Sequence, residues 1–286
     1  MKTIRTPLVI LTICALRLGL LTCAESAAGQ AGTGPQALAF RGLGDAGKEQ
    51  ALNDLAAATA ALPPDELVSV VAAGLADPSS SVRERALWAV ARRAGRPGAV
   101  EVWRQERSTL RSMRAKVASL LADSDRQVRL AAIAALCGLD LDYDLKPGTP
   151  QTLSIATATA LASQIGVEKL DQVRAHILNA FAWYAVPPAF DARRDAVFAR
   201  AFGDPSSQVI QGAAFAVGKH RIAALLPRVV PLLTHDAKAV RVEAAQSVAA
   251  FGPQARAYLP DLERALDAET DEMARNALQG AINVIR

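Results

Sequence analysis

The residue types that support catalysis are scarce and scattered in this chain. Its three histidines, His176, His220 and His235, lie far apart and show no His-x-x-x-His or Glu-flanked spacing, so no metal-ligand set is expected. Neither a glycine-rich phosphate loop nor a Gly-x-Ser-x-Gly elbow occurs. Of the three cysteines, Cys137 lies in an apolar helical run and reads as a small buried residue. No cofactor is implied, and the chain reads as a non-enzyme. The polar residues that do recur are arginines at one repeated position, Arg83, Arg129, Arg174 and Arg241, best read as a structural ladder that pairs with turn aspartates or carbonyls. One stretch, residues 83–116, holds ten basic and three acidic residues with Trp88 and Trp103 between them, a composition found at interface hot spots and in nucleic-acid grooves.

The elements carrying these arginines form a repeat. Asp77-Pro-Ser-Ser-Ser-Val82-Arg83 opens an alanine-rich run, and so do Asp123…Val128-Arg129, Asp204-Pro…Val209 and Asp236…Val240-Arg241, the last with a turn one residue tighter. Val173-Arg174 and Met273, the latter after Asp267, anchor two looser copies. Asp and Ser in the turn can accept hydrogen bonds from the free N–H groups that open a helix. Positions zero, four and eight from each anchor are apolar and share one helical face, as in Val82/Ala86/Val90, Val173/Ile177/Phe181 and Met273/Ala277/Ala281. Position seven is small: Ala89, Ala135, Ala180, Ala216, Ser247 and Gly280. Preceding helices are expected over 65–75, 109–121, 153–165, 192–202, 223–233 and 261–266, with Pro227 and Pro231 kinking the fifth and a further helix near 48–61 capping the open end.

Anchors at 82, 128, 173, 209, 240 and 273 stand 31 to 46 residues apart, the range of two-helix solenoid repeats. The pattern resembles the HEAT repeat, most closely the short HEAT-like variety first described in phycobilisome lyases, whose turn runs Asp-Pro-x-x-x-Val-Arg. The resemblance covers about residues 62–286 and implies an all-α fold, a right-handed α-α superhelix of about six helical hairpins. The shared residues are those of the structural turn, so no lyase activity follows. One HEAT-type enzyme family holds iron through His-Glu dipeptides; here the histidines precede Ile177, Arg221 and Asp236.

In HEAT proteins the second helices line a concave surface. That geometry would expose the position six after each anchor, including Trp88, Asn179, Phe215 and Gln246, with Arg85, His176 and Glu243 nearby. These seven residues are the expected contacts of a protein or peptide partner. Two Pro-bearing loops, 140–150 and 184–190, are further partner candidates or plain connections.

The N-terminus has the layout of an export signal: Lys2 and Arg5, apolar runs Leu8–Leu16 and Leu18–Thr22, then small residues. Leu20-Leu21-Thr22-Cys23 resembles a bacterial lipobox, which implies lipidation of Cys23; cleavage after Ser26 or Ala28 is the competing expectation. The expected organisation is a signal over 1–23, a flexible linker over 24–44 and a HEAT-like repeat domain over 45–286, in the periplasm or cell envelope. Removing Lys2, Arg5 and Arg17 from 32 basic residues leaves 29 against 28 acidic ones. A near-neutral exported chain argues against nucleic acid, and the membrane is reached only through an N-terminal lipid. The alternative is a cytosolic nucleic-acid-binding HEAT-like protein using residues 83–116.

Overall fold

The computed structural model describes residues 35–57, 63–95, 101–142, 145–146 and 149–286. Among them the regular elements are all helical, with a lone bridge between Thr152 and Ala185. The chain divides into two compact units, Met1–Pro147 and Gly148–Arg286. Unit 1 contains α1 (Pro35–Arg41), α2 (Asp45–Ala57), α3 (Pro64–Leu75), α4 (Ser80–Ala94), α5 (Glu101–Ser112), α6 (Arg114–Ser119) and α7 (Arg126–Asp140). Unit 2 contains α8 (Ile155–Gln164), α9 (Asp171–Trp183), α10 (Asp191–Ala201), α11 (Ser207–His220), α12 (Leu226–Val229), α13 (Lys238–Ala249), α14 (Leu259–Ala268) and α15 (Glu272–Ile285).

The described helices pack as consecutive pairs whose second members are α4 and α7 in unit 1 and α9, α11, α13 and α15 in unit 2, with α2 in line beside α4. Within each unit these second helices pack side by side. The expected 24–44 linker is corrected from residue 35 onward: α1 is a helix, and its Ala37 and Phe40 are buried. Pro227 and Pro231 break the expected 223–233 helix into short 3₁₀ turns around α12, because each proline removes a donor and clashes with the preceding turn.

The apolar stripes form the core. Val82, Ala86 and Val90, and likewise Val173, Ile177 and Phe181, are fully buried. The last copy requires a correction of phase. Met273 is 62% exposed, while Ala274, Leu278 and Ile282 face inward, so the anchor is Ala274 and its arginine is Arg275. Small residues allow close approach between second helices. A Cβ on Gly138 would lie 2.9 Å from the Ala91 carbonyl oxygen, and one on Gly218 would lie 2.6 Å from Ser247 Oγ. That Ser247 hydroxyl donates to the Ala214 carbonyl at 2.8 Å.

In the second turn Asp125 caps its helix as expected, accepting the Gln127 and Val128 N–H groups at 2.7 and 3.3 Å, whereas the residue that opens each turn acts within the turn itself. One carboxylate oxygen accepts the N–H two residues on, Ser79 for Asp77, Asp125 for Asp123, Ser206 for Asp204 and Asp271 for Glu269. The carboxylate is thus free to take the arginine of the preceding repeat. Arg83 Nε and Nη2 grip Asp123 at 2.8 and 2.9 Å, and Arg174 grips Asp204 at 2.7 and 2.8 Å. Arg241 grips Glu269 in the same way, and Lys48 on α2 plays the part for Asp77. The remaining arginine nitrogen donates back to carbonyls of its own turn, Asp77 and Pro78 for Arg83 and Glu168 and Lys169 for Arg174. Each rung therefore ties a turn, a helix and the next repeat together.

Among the described residues of unit 2 one rung is missing, and both of its members are replaced. Ile210 stands where the arginine is expected. The fourth turn is opened by His235 rather than Asp236: Arg241 Nη1 donates to the His235 carbonyl at 2.8 Å, and His235 Nδ1 accepts the Ala237 N–H at 3.0 Å. The turn thus has the normal length, and an imidazole nitrogen serves where a carboxylate oxygen does elsewhere.

Candidate functional site

With the arginine ladder and the apolar stripes committed to the fold, the second helices still carry outward faces whose side chains are not used by either. In unit 2, α9 presents His176, Asn179 and Trp183, at steps of three and four residues. The neighbouring α11 presents Gln208, Gln211, Phe215 and Lys219, and α13 presents Glu243 and Gln246. The 3.6-residue turn places each set on one helix face.

Two features meet there. Asn179, Gln208, Gln211, Gly212, Phe215 and Glu243, with Ala175, line a cleft of about 240 Å³. Burial pushes the Glu243 carboxyl above its ordinary range, and a hydrogen bond from Gln211 offsets this only in part. The second feature is an aromatic cluster. The rings of Trp183 and Phe215 stand 5.7 Å apart, and Lys219 Nζ lies 3.9 Å from the Trp183 ring centre and 5.8 Å from that of Phe215. Trp183 is nevertheless 62% exposed, a large apolar surface with a cation already against one face.

The seven residues expected from the sequence divide between the units. Arg85 and Trp88 stand exposed on α4 of unit 1, where the Trp88 indole donates to Glu84. Of the five in unit 2, Asn179, Phe215 and Glu243 line the cleft. His176 and Gln246 are exposed on the same helices outside that lining. Sequence reading missed Trp183, Lys219, Gln208 and Gln211. Trp183 and Lys219 both stand ten residues after their anchors, Val173 and Val209, a coincidence that the six-residue rule did not sample.

Much of the basic stretch 83–116 has internal work. Arg83 holds Asp123, and Arg93, only 1% exposed, pairs bidentately with buried Glu106 and donates to the Leu55 carbonyl at 2.7 Å. Arg111 donates to the carbonyls of Leu139 and Leu141 at the end of α7, and Arg114 pairs with Asp140. Arg104 and Arg107 are likewise engaged. The side chain of Trp103 lies outside the described residues, as do Cys23 and the signal region. The loop 184–190 is held within the fold: Ala185 bonds with Gln151 and Leu153, and Phe190 stacks buried on Phe181 with ring centres 6.2 Å apart.

Among the described residues no group of three or more His, Cys, Asp or Glu side chains is placed to hold a metal ion. None of the described helices is long and apolar enough to cross a membrane. Cys137 is a free buried thiol pushed up to about 12 by burial, with Asp140 adding to the effect.

Residues 194–283 match the family model for HEAT repeats. Among solved structures, the chain is similar to the archaeal HEAT-like repeats protein of Thermococcus onnurineus NA1, with 12% identity and a TM-score of 0.52 over 83% of this chain and 96% of that one. An engineered protein matches at 19% identity and a TM-score of 0.49 over 87% of this chain and 70% of that one. A designed armadillo repeat protein in complex with the peptide (KR)4 matches at 17% identity and a TM-score of 0.38, over 88% and 98%. No curated protein matches the chain.

Proposed function

From the repeat fold, an α-solenoid with HEAT-like repeats, we propose that the chain is a non-catalytic scaffold that binds a protein or peptide segment across the second helices of unit 2. The observation that carries this reading is the exposed Trp183–Phe215–Lys219 cluster beside the amide-lined cleft. Interface energy concentrates in such aromatic and cationic anchors, and this surface has no role in the ladder or the core. The nucleic-acid alternative draws little support, because many of the basic side chains between 83 and 116 are bound to carbonyls and carboxylates.

The proposed place of action is the bacterial cell envelope, following export by the N-terminal signal and with Cys23 as the lipid anchor. The basic, apolar and small-residue layout of 1–29 supports it. The N-terminus and intact mass of protein from the native host test this part. A processed or lipidated start supports export, and an intact Met1 overturns it.

Binding is tested by panning the immobilised chain against phage-displayed random twelve-residue peptides. The expected result is enrichment that disappears when Trp183→Ala and Phe215→Ala are combined, with helicity and unfolding temperature close to wild type. Enrichment unchanged in that variant overturns the placement on this face.

A further inference from the structure

We infer that the cleft between α9, α11 and α13 receives a basic side chain of an extended peptide, and that Lys219 meets an acidic residue of the same peptide about four positions away. This rests on the scaffold reading above and adds the chemistry of the partner. The cleft contains one ionisable side chain, Glu243, and its lining includes no cation. The other polar groups around it are the amides of Asn179, Gln208 and Gln211, which offer both donors and acceptors and so suit a peptide backbone beside a guanidinium or ammonium. Burial already opposes ionisation of Glu243, so an incoming cation gains an acceptor that lacks a charged partner in the cleft.

The spacing follows from helix geometry. Glu243 stands three residues after its anchor and Lys219 ten after its own, a rise of about 10 Å along the helices at 1.5 Å per residue. Neighbouring helices lie about 8–10 Å apart. The diagonal is therefore roughly 14 Å, about four residues of extended chain at 3.3 Å each. Phe215 on α11 lies between the two charges, and the Trp183 ring on α9 flanks Lys219 on the side away from α13; together they form a platform for an apolar or aromatic residue. Gly212 keeps the floor open: a Cβ there would make only ordinary contacts, 3.6 Å to Leu178 Cβ and 4.0 Å to Asn179 Oδ1, and anything longer would grow into the cleft.

The experiment is fluorescence anisotropy with fluorescein-labelled octapeptides that carry arginine and aspartate four residues apart, in both orders, around a tyrosine. Companion peptides replace arginine by citrulline or aspartate by asparagine. Each neutral replacement is expected to weaken binding of one order about tenfold. Glu243→Gln should abolish the arginine dependence and leave the aspartate dependence, and Lys219→Gln should do the reverse. Gly212→Leu, which fills the cleft from a helical position, should act like Glu243→Gln and guards against a variant that misfolds. Equal binding of charged and neutral peptides overturns the inference, as does full arginine dependence in Glu243→Gln or no binding by any octapeptide. If library peptides still require Trp183 and Phe215 in those cases, the scaffold reading stands while the charge pattern fails.

Discussion

Removing Arg174 tests whether the ladder holds the repeats together. Its guanidinium makes two short contacts with Asp204, at 2.7 and 2.8 Å, and donates to the carbonyls of Glu168 and Lys169 at 3.2 and 2.8 Å. Both partners of the ion pair are 13% exposed. A hydrogen bond to a charged group is worth about 1.5–3 kcal/mol net, and partial exposure moves such pairs toward the lower end. The expected coupling between Arg174 and Asp204 is therefore about 2 kcal/mol. Arg174→Ala, which also abandons the carbonyls, should cost about 3 kcal/mol, or roughly 6–12 °C in unfolding temperature for a domain of 150–250 residues. The assay is a double-mutant cycle of Arg174→Ala, Asp204→Ala and the pair, followed by helical circular dichroism in urea and on heating. The Ser206 N–H bond lost with Asp204 is common to both arms and cancels. Burial works against ionisation of Asp204, but the hydrogen bonds from Arg174 and Ser206 outweigh it and hold the carboxyl below its ordinary value of 3.8. A depressed carboxyl contributes fully above its unfolded value and loses that contribution as pH falls through the folded one. The coupling should thus be constant from pH 5 upward and fade only below about pH 3.8. Additivity within about 0.3 kcal/mol at pH 7 would refute the ladder as a source of stability.

Two further outcomes follow from the same packing. Gly218→Ala would place a Cβ 2.6 Å from Ser247 Oγ and 2.7 Å from its Cα; forcing α11 and α13 apart should cost about 1–3 kcal/mol in denaturant unfolding, and a change under ~0.5 kcal/mol would show that the helices do not approach so closely. Ile210→Arg and His235→Asp should each destabilise the chain alone by about 1–2 kcal/mol and largely compensate when combined, because together they rebuild an ion pair like those on either side. A double variant as unstable as the sum of the singles would mean that the gap is not a missing rung.

The repeat itself was legible because it is written in local terms. An apolar face at four-residue spacing and a small residue at position seven need only helical periodicity to be recognised, and Val82, Val128, Val173, Val209 and Val240 are all buried as that pattern implies. The phase failed where local chemistry was degenerate. Met273 and Ala274 are adjacent apolar residues, and only the burial of Ala274 and the bonds of Arg275 to the Leu266 and Glu269 carbonyls distinguish them. His235 escaped notice because an imidazole nitrogen can replace a carboxylate oxygen in the turn, an equivalence of geometry and not of residue type. The same holds for Glu168 and Glu269, whose longer carboxylates perform the role sought from aspartate.

The candidate chemistry shows the same division. The sequence by itself determined most of the helices, five of the six anchors and the recurring arginines, since these depend on neighbours within one or two turns. Tertiary structure decided which charges remain available. Arg93, Arg111 and Arg114 look like surface cations in a list of residues, yet each is bound to groups 13 to 38 positions away. Only packing of α9 beside α11 brings Lys219 over the Trp183 ring, 36 residues distant in the chain. Periodicity assigns a side chain to a face, but contacts between helices choose its partner, and for a scaffold of this kind the partner decides whether a charge supports the fold or meets a ligand.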